Sequence, residues 1–204
     1  MRTFLHVGCG TNYKDSTTRV FAGAEWREIR LDIDPNVQPD IIGSMLDMFT
    51  IADESVDAVY SANNIEHLYS HEVPIALAEF RRVLKPDGFL IIACPDLQSV
   101  CALIAEDKLS EVAYNSPAGP ITPHDILYGL RICLAEGNLH MAHRCGFTSK
   151  TLTEALLSAG FAAVYSGRTS LTMKLWAFAL PRKINEMDAR CLATDHLHGQ
   201  IVEG

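Results

Sequence analysis

Leu5-His6-Val7-Gly8-Cys9-Gly10-Thr11-Asn12 joins a short apolar run to two glycines one residue apart. A strand feeding such a turn brings bare backbone to the carboxyl edge of a sheet, where open α/β folds bind ligands. The third glycine of GxGxxG is absent, as is the lysine of a GxxxxGK[ST] loop, so a pyrophosphate is a poor match. A phosphate-free adenosyl ligand fits better; the alternative is a glycine turn that holds nothing. In Arg30-Leu31-Asp32-Ile33-Asp34-Pro35, Asp32 stands 22 residues beyond Gly10. A carboxylate at that distance can accept hydrogen bonds from both hydroxyls of a ribose. Asp34, directly before Pro35, reads as turn chemistry.

Histidines supply a second chemistry. His67 closes Asn63-Asn64-Ile65-Glu66-His67, and His140 and His143 share His140-Met141-Ala142-His143-Arg144. Imidazole titrates near neutrality, which makes His67 the candidate base, unless Glu66 and His67 only order the loop. His124, Tyr128 and Arg131 follow one another at helical spacing, so they share a face turned to either substrate or solvent. No Asp, Glu or Cys completes a three-ligand set with these histidines at a fixed spacing, and no metal is expected. His196 and His198, near the end of the chain, are weaker candidates.

The elements that must position these groups alternate between apolar runs and helix-like stretches, the pattern of an α/β protein with a largely parallel sheet. Strands are predicted over Thr3–Val7, Glu28–Ile33, Val56–Ser61 and Phe89–Pro95, with a short one over Asp40–Ile42. A helix is predicted over His71–Leu84, stopped by Lys85-Pro86-Asp87-Gly88, and another over Ser149–Ala159 with Thr148 as its cap. Between these pieces Asp96 caps a helix to about Glu106, and Thr122-Pro123-His124-Asp125 opens a second, to Ala135, after a loop over Tyr114–Pro120. Phe161–Thr169 and Leu171–Leu180 read as an antiparallel edge hairpin. The expected organisation is one domain over residues 1–182, a helical lid-like insertion at about 97–146, and a loosely attached tail over 183–204 with room for one helical turn.

Composition narrows the function classes. Lys and Arg total 17 against 25 Asp and Glu, for a formal charge of -8, which works against a nonspecific grip on nucleic acid. The first apolar stretch is too short for a signal-peptide core or a membrane span, so a cytoplasmic protein acting on a small molecule is expected. Six cysteines at 9, 94, 101, 133, 145 and 191 form no CxxC pair and read as reduced thiols. Nothing in the sequence speaks to oligomeric state.

Taken in order, LHVGCGTN, RLDIDP, DIIGSMLDM, SVDAVYSANNIEHL, FRRVLKPDGFLIIACPD and GFTSKTLTEALLSAGF resemble the class I S-adenosylmethionine-dependent methyltransferase superfamily over most of residues 3–165. The resemblance implies a Rossmann-like three-layer α/β sandwich, with a mostly parallel seven-stranded sheet and an antiparallel edge hairpin. It also implies S-adenosylmethionine as cofactor and S-adenosylhomocysteine as product. On it, Gly8, Cys9 and Gly10 border the aminoacyl part, Asp32 holds ribose beside Ile33, Met45 and Leu46 flank adenine, and Asn63 faces the methionine side. Two positions depart from the superfamily pattern: His6 and Ser44 stand where many members carry an acid. His67 would meet the acceptor, and the insertion, with His124, Tyr128, His140 and His143, would set substrate choice. A binding module that keeps the fold without catalysis is the other reading; an oxidoreductase on a related sheet is opposed by the missing third glycine.

Overall fold

The computed structural model describes residues 1–169 and 172–197, so His198 and the expected start of a strand at Leu171 lie outside the described residues. Five strands run parallel: β1 (Arg2–Val7), β2 (Trp26–Asp32), β3 (Ile41–Ile42), β4 (Val56–Ala62) and β5 (Leu84–Pro95). With β8 (Ala163–Thr169) and β9 (Lys174–Leu180), which pair antiparallel, they form one sheet in the order β3-β2-β1-β4-β5-β9-β8. The connections reverse direction between β1 and β4, which makes the carboxyl ends of those two strands the topological switch point.

Both faces are buried, and the alternation of side chains divides them by chemistry. Leu5, Val7, Val59, Leu90, Ile92, Ala177 and Ala179 point to an aliphatic face covered by α1 (Val73–Val83) and α5 (Ser149–Ser158). Phe4, Tyr60, Phe89, Ile91, Trp176 and Phe178 point the other way. There the cover is unusual. Residues 12–25 hold only one 3-10 turn, Lys14–Ser16, and Phe21 from this loop stacks on Phe4 at 4.1 Å between ring centres. The rest is covered by α6 (Glu186–Leu197), whose Ala193 and His196 are buried. His196 lies 4.7 Å from Phe21 and 4.8 Å from Phe89 between ring centres, and its Nδ1 is 3.0 Å from Thr18 Oγ1. The stretch expected as an aperiodic tail thus contributes a helix to the second layer, because an aromatic face with no other helix on it needs cover. No helix among the described residues is long and apolar enough to cross a membrane.

Three further expectations are corrected. Lys85-Pro86-Asp87-Gly88 belongs to β5 itself, and a register shift against β4 between Val56 and Ala58 absorbs the extra residues. Gly88 is required there, since a Cβ would stand 2.9 Å from the Asp57 carbonyl oxygen. Within 97–146, α2 (Leu97–Ala105) forms behind its Asp96 cap, but Tyr114–Pro120 is a hairpin, β6 (Tyr114–Ser116) with β7 (Gly119–Ile121), and not a loop. The single helix expected to Ala135 is broken into α3 (Pro123–Tyr128) and α4 (Arg131–Ala135) by Gly129, at φ +104°. Val100, Ile121 and Ile126 give this region a small core of its own.

Candidate functional site

The glycine turn and its acid are joined directly. Gly8 and Gly10 both adopt positive φ, +63° and +52°, and the Gly10 N–H donates to Asp32 Oδ2 at 2.7 Å. Asp32 Oδ1 accepts from the Asp34 N–H at 2.9 Å, so the half-buried carboxylate is held at the end of β2 by one bond on each oxygen. Asp34 does what its position before proline predicts: its Oδ1 accepts from the Asn36 N–H and caps a short turn. Cys9 points inward, fully buried, and burial pushes its thiol up to about 11.

Two residues that sequence reasoning missed hold this arrangement. Arg30, 5% exposed, donates to the carbonyls of Gly10 (2.6 Å), Asn12 (3.1 Å), Gln38 (2.8 Å) and Val37 (3.3 Å), tying the glycine turn to the loop after β2. Asn64 packs over Gly8 and donates to the Val7 carbonyl at 2.8 Å; a Cβ on Gly8 would fall 1.9 Å from its Oδ1. His6 is buried on the aromatic side, with Nδ1 2.7 Å from Glu28 Oε1. The other Glu28 oxygen accepts from the Lys14 N–H, ordering the loop that follows the turn.

Beside Asp32, its carbonyl accepts from the Gly43 N–H at 2.9 Å and brings Ser44, Met45 and Leu46 alongside. All three are half-buried, and Ser44 Oγ accepts from the Leu46 N–H. Arg82 and Glu79 anchor this segment from α1: Arg82 donates to the Met48 and Ile51 carbonyls, and Glu79 accepts from the Met48 N–H. Ile33 is 51% exposed at the strand end, an apolar surface beside the acid.

The fourth strand ends in a denser cluster. Asn63 is exposed at φ +55°, while Glu66 is 1% exposed and His67 half-buried. His143 joins them from a distant segment, its ring centre 5.0 Å from that of His67. Burial pushes the Glu66 carboxyl up to about 8, offset only slightly by the nearby main-chain N–H groups of Glu66 and Asn64 and the charge of Lys174. Neither carboxyl oxygen closes a hydrogen bond of normal geometry. Burial also lowers His67, whose Nδ1 is 3.2 Å from the Ala142 carbonyl. Burial, with the charge of His67, holds His143 at about 4, and its Nδ1 is 2.7 Å from the Ile126 carbonyl. Burial thus favours the neutral form of both imidazoles, with Nδ1–H donating to main chain.

The other histidine-rich residues separate. His124 and Tyr128 pack ring to ring at 5.0 Å on α3, with Tyr128 55% exposed, and His140 is exposed on a turn. Arg131 leaves the shared face expected for it, because the chain breaks at Gly129 and its guanidinium returns to Asp125 at 2.7 Å. A hollow of about 610 Å³ along α6 has a lining of Met187, Cys191 and neighbours that includes none of the groups above.

Residues 5–92 match the family model of the methyltransferase domain. The match covers less than half of the chain. Its fold is similar to that of a SAM-dependent methyltransferase from Archaeoglobus fulgidus, with a TM-score of 0.59, 13% identity, and coverage of 87% of this chain and 85% of that one. It is also similar to a chain of the complex between the Haloferax volcanii Trm112 methyltransferase activator and a methyltransferase (TM-score 0.57, 16% identity, 89% and 83% covered). A third is the Burkholderia thailandensis 1,6-didemethyltoxoflavin-N1-methyltransferase with bound 1,6-didemethyltoxoflavin and S-adenosylhomocysteine (TM-score 0.53, 16% identity, 87% and 70% covered). No curated protein sequence matches the chain.

Proposed function

We propose that this protein is a methyltransferase that transfers a methyl group from S-adenosylmethionine to a small or medium-sized acceptor across the carboxyl ends of β1, β2 and β4. The observation that carries the reading is the 2.7 Å bond from Gly10 N–H to Asp32, which fuses the turn and the acid into one receptor at the switch point. The residues fit an adenosyl group. A Cβ on Gly10 would meet nothing within 4 Å, each Asp32 oxygen keeps a further lone pair for a ribose hydroxyl, and Ile33, Met45 and Leu46 supply apolar surface. Ser44 offers a hydroxyl beside them, and Asn63 stands at the methionine end.

S-adenosylmethionine, when bound, supplies a methyl group on a positively charged sulfur. The chain's part is then to position the acceptor and exclude water, and to take a proton where the acceptor carries one. In this reading His67 takes it at Nε2, since Nδ1 is engaged with Ala142. Residues 97–146 act as the lid, with His124, Tyr128, His140 and His143 on the acceptor's side.

Calorimetric titration with S-adenosylhomocysteine tests this. Wild type binds; Asp32→Ala loses at least tenfold in affinity, while Asp34→Ala stays within about threefold, because only Asp32 faces both anchors. Absence of binding to the wild type at millimolar ligand refutes the reading, and equal losses in the two variants refute the ribose assignment.

A further inference from the structure

Glu66, His67 and His143 come from two segments far apart in the chain, yet one carboxyl oxygen and one ring nitrogen from each histidine lie within 4.8 Å of one another. The carboxyl is fully buried and both its oxygens lack a hydrogen-bond partner. A buried carboxyl without a partner is costly, and proteins ordinarily relieve that cost with a donor or a cation. No donor is there. The histidines are arranged as metal ligands usually are: each donates Nδ1–H to a main-chain carbonyl, Ala142 for His67 and Ile126 for His143, which fixes the tautomer, and the Asn63 main chain lies against the His67 ring as well. The segments are also held rigidly to each other, since the Arg144 and Cys145 N–H groups both donate to the Glu66 carbonyl, at 2.8 and 3.2 Å, and Arg144 donates to the His67 carbonyl.

We propose that Glu66, His67 and His143 form a binding site for one divalent transition-metal ion of the zinc class. Two imidazole nitrogens and a carboxylate are a hard-to-borderline donor set that suits zinc or cobalt(II) over magnesium or calcium, which prefer all-oxygen shells. Donors around one such ion stand about 3.3 Å apart, so the three side chains need to close by up to about 1.5 Å, within the reach of side-chain rotation. Three protein ligands leave a fourth position open toward His67 and His143, the half-exposed side of the cluster. An ion there would occupy the His67 nitrogen and stop it from accepting a proton. That consequence rests on the proposed methyl transfer, whereas the site itself does not.

The test uses the full chain, freed of metal by chelator, with neither cofactor nor acceptor present. Zinc chloride titrated calorimetrically should bind one ion per chain at micromolar affinity or tighter, and cobalt(II) should develop visible absorption of a low-coordinate site. Glu66→Gln and His143→Gln should each weaken zinc binding at least tenfold with the far-ultraviolet dichroism of wild type, and His140→Gln should not. Failure of wild type to bind zinc, or equal binding by wild type, Glu66→Gln and His143→Gln, overturns the proposal. If Glu66→Gln does not fold, the cobalt spectrum of wild type against His143→Gln decides. Because no methyl transfer is measured, a negative result here leaves the proposed function standing, and the reverse holds as well.

Discussion

Gly8 and Gly10 are one residue apart and share a left-handed backbone, yet they are glycines for different reasons. At Gly8 a side chain has no room, because Asn64 lies across it; at Gly10 the space is open. Gly8→Ala should therefore cost about 2–4 kcal/mol, the sum of backbone strain and lost Asn64 hydrogen bonds, and lower the melting temperature by roughly 5–15 °C. Gly10→Ala meets only the strain, about 1 kcal/mol, and should leave the melting temperature within a few degrees while weakening S-adenosylhomocysteine binding by tenfold or more. Thermal unfolding and calorimetry on the two variants check both halves. The pairing of this turn with Asp32 was legible from residue type and spacing, since glycine freedom and a carboxylate are local properties. The roles of Arg30, Asn64 and Glu28 were not. In Asn63-Asn64 only the path of the chain after β4 decides which side chain faces solvent and which reaches the Val7 carbonyl.

Elements repeat the lesson. The start of α3 was readable because its capping box is written in four consecutive residues, and Thr122 and Asp125 bond reciprocally as expected. Its early end was not, because Gly129 answers a long-range demand: a Cβ there would sit 2.1 Å from the Met141 carbonyl oxygen. The break lets Arg131 fold back on Asp125, whose side chain is almost fully buried. Burial works to raise the Asp125 carboxyl, but the hydrogen bonds from Arg131 and Thr122 outweigh it and hold the group well below its ordinary range. A carboxyl lowered in the folded state contributes stability above its unfolded value, near pH 4, and that contribution is lost as pH falls through the folded value. Protection of the amides of 122–129 against hydrogen exchange, corrected for intrinsic rate, should accordingly decline below about pH 4. At neutral pH, Asp125→Asn should reproduce the decline, by about 1–3 kcal/mol of local stability. Unchanged protection in both experiments would show that the pair does not hold this segment.

At the scale of the molecule, the mostly parallel sheet followed from apolar runs alternating with helix signals, a pattern that survives any uncertainty about single residues. The helix over 186–197 did not, because its polar and apolar residues are too evenly mixed to announce a buried face. It is recruited by what the rest of the chain leaves bare: with only a loop between β1 and β2, one side of the sheet is an aromatic surface in want of a helix. A chain ending at Lys183 should therefore unfold about 4–10 °C lower than the full chain, measured by dichroism, while retaining its strand signal at 20 °C. An unchanged transition would mean that this helix adds nothing to stability.

That aromatic surface has an optical consequence. Trp26 and Trp176, the two tryptophans of the chain, both lie in it, buried to 2% and 8% exposure, with indole N–H groups that no acceptor meets. Their emission should be blue-shifted and should respond to the undocking of the terminal helix. Trp26 stands opposite Arg2, at the amino ends of β1 and β2, so quenching of its emission would follow the end of the sheet remote from the glycine turn.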